Sequence, residues 1–249
     1  ANTTGSSNTA VGREALLVNT TGTKNTAIGN NALDANTTGG QNISVGSGSL
    51  GANTTGDDNT AIGFNALNAN TTGTLNVGVG NSALGANTTA TNNVAVGVKA
   101  LAANTTGDSN TAVGMLALTT NTTGEYNAAV GYSALEKNTT ASYNSALGFK
   151  ALEENTTGAS NTAVGYEALT ANTTGTACVA VGAFALDASN ANNNTAIGYA
   201  ALGAVTTGMS NTGVGKDVLL VSTTGINNCG LGVNALEANT TGSNNTALG

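Results

Sequence analysis

Residues 59–73 read Asn-Thr-Ala-Ile-Gly-Phe-Asn-Ala-Leu-Asn-Ala-Asn-Thr-Thr-Gly, and this unit is repeated along the whole chain. The glycine that follows the aliphatic residue, which we call the marker glycine, recurs at a spacing of 17 residues. One interval, from Gly182 to Gly198, is shorter and has 16 residues. A fixed short period over the full length predicts a solenoid or fibrous array in which each repeat stacks on the one before it. The marker glycines are Gly12, Gly29, Gly46, Gly63, Gly80, Gly97, Gly114, Gly131, Gly148, Gly165, Gly182, Gly198, Gly215, Gly232 and Gly249.

Two columns of the repeat are always apolar. A Val, Ile or Leu precedes every marker glycine, and a leucine follows four residues after each of the 14 marker glycines that have sequence beyond them. The sequence therefore predicts a core formed by these two columns, which include Val11, Leu16, Ile28, Leu33, Ile62 and Leu67.

Alternation along residues 9–11 sends Thr9 and Val11 to one face of a strand and Ala10 to the other. The Thr9 column also holds large aliphatic residues such as Ile43 and Val77, whereas the Ala10 column holds only Ala, Ser and Gly. We interpret the first face as the buried one. The alanine column then predicts a surface that another chain, or another wall of the same coil, approaches closely.

The residues between these columns argue against helix, because each repeat contains glycine and an Asn-Thr-Thr segment. Residues with β-branched side chains between glycine turns instead favour about two short strands per coil. The predicted fold class is all-β, a parallel β-solenoid of about 15 coils in which residues 1–249 form a single repeat domain.

Two columns of the repeat are occupied by asparagine. Identical coils that stack at about 4.8 Å place each side chain over its own copy, so asparagine carboxamides can hydrogen-bond as a ladder. The second column also begins an Asn-Thr-Thr sequon, but glycans on every coil would collide at that spacing, so a structural ladder is favoured over glycosylation. The first ladder includes Asn8, Asn25 and Asn59, and the second includes Asn19, Asn36 and Asn53.

Few side chains here can do chemistry, because the chain has no His and only 8% of its residues are charged. No nucleophile–base pair can be named, and Asp57, Asp58 and Asp108 are too sporadic for a calcium solenoid. We therefore expect no enzymatic activity, no metal and no cofactor. The net charge of −7 argues against nucleic acid as a partner. No apolar run reaches the length of about 18 residues that membrane insertion needs.

The coil is small, and its expected core is thin. Burial of so little apolar area barely offsets the entropy of ordering the chain, so association between copies is expected. We predict a homo-oligomer, preferably a parallel trimer, that packs through the column of Ala10, Ala27 and Ala61. Cys178 and Cys229 lie three coils apart, roughly 14 Å at strand spacing, which is too far for an intrachain disulfide.

The strand at Asn161-Thr162-Ala163-Val164-Gly165 resembles the Ser-Val-Ala-Ile-Gly strand of trimeric autotransporter adhesin heads, whose unit is shorter. That resemblance implies a left-handed parallel β-roll, three chains side by side and an extracellular role. The full unit over residues 161–175 is similar to repeats of phage tail-fibre-like proteins, and this similarity covers the whole chain. Both resemblances imply a surface fibre on a virion or a cell.

We therefore predict a structural fibre segment, the shaft or display stalk of a phage tail fibre or of a cell-surface adhesin. The chain enters and leaves in mid-repeat, which predicts a segment of a longer fibre or end-to-end self-association of copies.

A binding solenoid is the alternative. Threonine columns such as those of Thr20 and Thr21 could order ice, although only one of two adjacent residues can point outward. An aromatic group could hold a cell-surface glycan or receptor, although stacking between coils is its ordinary use. This possible binding patch consists of Tyr126, Tyr132, Tyr143, Phe149 and Tyr166.

Overall fold

A computed structural model describes residues 2–249, whose contacts group into two compact units that meet in sequence between Tyr126 and Asn127. Each unit is a parallel β-solenoid in which one three-residue strand marks each coil. Within the described residues there is no helix. The predicted all-β parallel solenoid is therefore confirmed.

The strands follow the marker glycines, since each strand ends at the residue before one. The first unit contains β1 Thr9–Val11, β2 Thr26–Ile28, β3 Ile43–Val45, β4 Thr60–Ile62, β5 Val77–Val79, β6 Val94–Val96 and β7 Thr111–Val113. The second contains β8 Ala128–Val130, β9 Ser145–Leu147, β10 Thr162–Val164, β11 Val179–Val181, β12 Thr195–Ile197, β13 Thr212–Val214, β14 Cys229–Leu231 and β15 Thr246–Leu248.

Within each unit, consecutive strands pair in parallel and in register, so each residue lies beside its own counterpart one repeat later. Thr60, for example, pairs with Val77, and Ile62 pairs with Val79. The short interval does not disturb this register, because Val179 still pairs with Thr195. The missing residue is therefore absorbed in a corner and not in the sheet.

The expectation of about two strands per coil is wrong, because each coil has only one. Three non-glycine positions in almost every coil adopt positive φ, among them Asn65 with φ 52° and Leu67 with φ 51°. Left-handed residues turn the chain and break extended pairing. The coils are still joined there by backbone hydrogen bonds, such as the 3.0 Å bond from Leu67 N to Ala83 O.

The leucine column is interior, as predicted. Leu33 and Leu67 have no exposed surface, and Leu16 in the first coil is 8% exposed. The leucines pay for their left-handed backbone, which costs about 1–2 kcal/mol per residue, with burial of a whole side chain.

The aliphatic column before the marker glycine is exposed, which corrects half of the predicted core. Val11 is 57% exposed, Ile28 40% and Ile62 41%, whereas Ala27 and Ala61 are fully buried. Alternation separates the two faces correctly, but the alanine face is the one that points into the coil. The alanine column therefore cannot be the surface between copies; it contacts another wall of its own coil.

The reason is the internal width of the coil, which leaves no space for a branched side chain behind the strand. A Cβ added at Gly78 would lie 3.4 Å from Leu67 Cδ1 and 3.2 Å from Ala83 O, so alanine is the size that fits. Where Val218 replaces a buried alanine, the facing residues are Gly213 and Gly230. A Cβ on them would lie 2.8 Å and 2.6 Å from Val218 methyl groups.

The marker glycine is required by its backbone conformation and by the next coil. Gly63 has a φ of 135°, a conformation that side chains other than glycine rarely adopt. A Cβ there would also lie 2.5 Å from Gly80 O. These two constraints account for a glycine in every copy of the repeat.

Candidate functional site

The first asparagine ladder fastens the start of each strand. Asn59 donates from Nδ2 to Gly73 O in its own coil at 2.8 Å, and its Oδ1 accepts the backbone N–H of Asn76 at 3.0 Å. Asn8 and Asn25 make the same bonds, to Gly22 O and Gly39 O at 2.8 Å. The carboxamide thus joins two walls of one coil and also joins that coil to the next.

The second ladder runs from carboxamide to carboxamide, as predicted. Asn36 Nδ2 donates to Asn19 Oδ1 at 2.8 Å, and Asn53 Nδ2 donates to Asn36 Oδ1 at 2.9 Å. These asparagines are fully buried. An oligosaccharide therefore cannot be attached to them in the folded chain, so their sequons are structural.

The two threonines that follow the second ladder differ in exposure. Thr37 is half-buried and donates from Oγ1 to Thr54 O at 3.0 Å, whereas Thr38 is exposed. The same arrangement holds for Thr20 and Thr21, with a bond from Thr20 Oγ1 to Thr37 O at 2.9 Å. Only the second threonine of each pair forms an exposed column, as expected.

The structure divides the predicted aromatic patch into two groups. Tyr132, Phe149 and Tyr166 occupy the position after the marker glycine in three coils of the second unit, and their rings stack. Tyr126 and Tyr143 belong to another corner, immediately before Asn127 and Asn144 of the first ladder.

Phe184 and Tyr199 extend this stack, which we call the aromatic column. The column position in their region is occupied by Ala183, but Phe184, one residue later, fills the gap. Its ring lies 5.3 Å from Tyr166 and 5.9 Å from Tyr199, edge to face in both cases. The spacing of 17 residues between Tyr132, Phe149 and Tyr166 could have identified the column from the sequence.

The chemistry of the aromatic column is limited by its own stacking. The rings of Phe149 and Tyr166 are nearly parallel, at 6° and 5.1 Å between centroids. Each therefore covers a face of its neighbour, and faces are the part of a ring on which a sugar would stack. A hydrogen bond with Glu167 raises the pKa of the exposed Tyr166 hydroxyl above its ordinary value. Lys150 lies 5.8 Å from the Phe149 ring centroid.

The two cysteines differ in environment. Cys178 replaces an asparagine of the first ladder, is buried and donates from Sγ to Ala191 O at 3.0 Å. Burial raises the pKa of this thiol, so it is poorly reactive. Cys229 is exposed at the first position of β14. Both are free thiols.

Among residues 2–249, no group of three or more His, Cys, Asp or Glu side chains is placed to hold a metal ion. No helix in that part of the chain is long and apolar enough to cross a membrane. No protein-family model matches the chain, and neither a curated protein nor a solved structure is similar to it.

Proposed function

We propose that this chain is a structural segment, the shaft or display stalk of an extracellular fibre on a virion or cell, and that it has no catalytic role. The observation that supports this proposal is the repetition of the same inter-coil bonds, with asparagines buried in almost every coil of both units. Such an arrangement distributes stability along the chain and does not concentrate it around one site.

The proposed shaft is built from several copies, with a trimer as the preferred assembly, and copies also associate end to end. The support for association is the narrow core: besides leucine, it contains mainly Ala, Asn and Gly. A core of small and polar side chains gains little from hydrophobic burial. Burial between copies would add the apolar contact that one coil lacks.

Electron microscopy of the recombinant chain tests the proposal. We expect elongated particles of uniform width, and longer filaments at high protein concentration. Compact particles with no preferred axis would contradict it.

The alternative is a binding solenoid, supported by the exposed threonine column and the aromatic column. Thermal hysteresis measurements and a glycan array distinguish it from the structural role. We expect neither ice shaping nor sugar-specific retention. Ice shaping that is lost in Thr72→Lys, or glycan retention that is lost in Tyr166→Ala, would replace the structural role with a binding role.

A further inference from the structure

We propose that a second copy of this chain packs on the sheet face, the surface formed by the first and third side chains of each strand. This inference rests on the proposed role as a shaft built from several copies, and it names the surface through which they associate. It replaces the alanine column, which is buried within its own coil.

The sheet face is apolar and has no cover within the chain. Its third position is Val, Ile or Leu in all fifteen strands, and its first position includes Ile43, Val77, Val94 and Val179. Leu147 is 51% exposed and Leu231 48%. Parallel sheets are normally covered on both faces. Here the alanine side is covered by the coil and the aliphatic side is not.

Charge is excluded from this face. The chain has six basic and 13 acidic residues, and none of them lies at the first or third position of a strand. They lie at the corners, as Glu14, Lys99 and Glu167 do. Copies with a net charge of −7 repel one another. The sheet face is a surface that two copies can bring together without burying a charge.

The repeat itself favours a second copy over an unrelated partner. Apolar side chains recur on the face at the strand spacing of about 4.8 Å, and a second copy has the same spacing by construction. Two copies packed in phase therefore make the same contact at every coil, whereas a partner with another spacing drifts out of phase along the face.

The area is also sufficient. A strand with its two flanking residues spans about 13 Å, so each coil offers about 60 Å² at the strand spacing. The seven coils of the first unit and the eight of the second together supply about 900 Å². A stable protein interface buries about 800 Å² on each partner.

Sedimentation velocity of the full chain tests the inference. The double variant Val79→Lys, Val96→Lys places two charges on the sheet face, and the matched control Thr72→Lys, Thr89→Lys places two on the exposed threonine column. We expect oligomers for the unaltered chain and the control, and at least a tenfold weaker association for the face variant. Equal association of the two variants would overturn the proposal.

Cys229 supplies a second measurement that needs no substitution, because it is exposed on the sheet face and Cys178 is buried. We expect maleimide to label Cys229 at least tenfold more slowly in the oligomer than after dilution to monomer. Unprotected labelling in the oligomer would place the interface elsewhere. A monomer at all concentrations that still forms elongated particles would overturn the sheet-face interface and leave the structural role standing. Ice or glycan binding by that monomer, lost in the face variant, would assign the face to that ligand.

Discussion

The second asparagine ladder is continuous in the first unit and interrupted in the second. In the first unit each carboxamide from Asn19 to Asn121 donates to the one before it, at 2.8–3.1 Å. In the second unit the ladder reaches Asn172, and the next three places are occupied by Ser189, Val205 and Ser222. Asn172 Oδ1 and Ser222 Oγ are then buried without a hydrogen-bond partner.

The short coil lies in the same region and is repaired by a side chain. In an intact coil one carbonyl accepts three backbone N–H groups, as Thr37 O does from Thr20, Thr21 and Gly22 at 2.9–3.4 Å. In the short coil, Asn190 Oδ1 accepts the N–H groups of Thr173, Thr174 and Gly175 at 3.0, 2.9 and 3.3 Å. A side-chain oxygen has replaced the backbone oxygen.

The comparison separates what the solenoid requires from what it tolerates. Backbone bonds between coils persist through the irregular region, for example from Thr206 N to Thr223 O at 3.0 Å. The side-chain ladder is lost there. An unmade buried hydrogen bond costs about 1–3 kcal/mol, which a chain with many coils can absorb locally. The interrupted region should therefore open more readily than the regular one.

The largest expected effect comes from breaking the core of the regular region. Leu118→Asp places a carboxylate at a fully buried position, which should destabilise its coil by on the order of 3–5 kcal/mol. Hydrogen exchange of amides in residues 101–126 measures this opening. The matched control is Val113→Asp on the sheet face of the same strand level, which should leave exchange nearly unchanged. Similar exchange in both variants would contradict the inside–outside assignment.

A smaller effect should distinguish the two ladders. Asn70→Ala removes three bonds, to Asn53 Oδ1, to Gly73 O and from Asn87 Nδ2. Asn172→Ala removes two bonds and also removes an unpaired oxygen. The first substitution should therefore cost about 1 kcal/mol more than the second, as measured by exchange in the adjoining coils. Equal costs would show that the unpaired oxygen carries no penalty.

Restoring the ladder should stabilise the interrupted region. The triple variant Ser189→Asn, Val205→Asn, Ser222→Asn gives Asn172 Oδ1 a donor and continues the ladder to Asn239. We expect slower exchange in residues 172–239, by about 1 kcal/mol for each restored bond. Unchanged or faster exchange would mean that the short coil has moved these positions out of line.

The smallest effect is expected for Lys99→Ala. The Lys99 side chain is exposed, and a surface substitution of this kind normally changes stability very little. The unfolding curve should coincide with that of the unaltered chain. A clear shift would reveal a contact of Lys99 with another copy.

The sequence by itself determined the period, and with it most of the architecture. A marker glycine in every copy, a leucine four residues later and two asparagine columns were enough to predict stacked coils, a buried leucine and the ladders. These features depend on local geometry and on stacking of like on like, both of which a repeat displays directly. The spacing of Tyr132, Phe149 and Tyr166 was also present in the sequence, although the patch predicted from it mixed two corners.

Only the tertiary structure decided which face of the strand is interior. Alternation at Thr60, Ala61 and Ile62 defines two faces without saying which one is enclosed, and hydrophobicity alone selects the wrong one. The choice depends on the width left inside the coil by Leu67 and Ala66, a property of the whole cross-section. The same holds for Phe184 in the aromatic column and for Asn190 in the short coil. Both fill space that exists only once neighbouring coils are stacked.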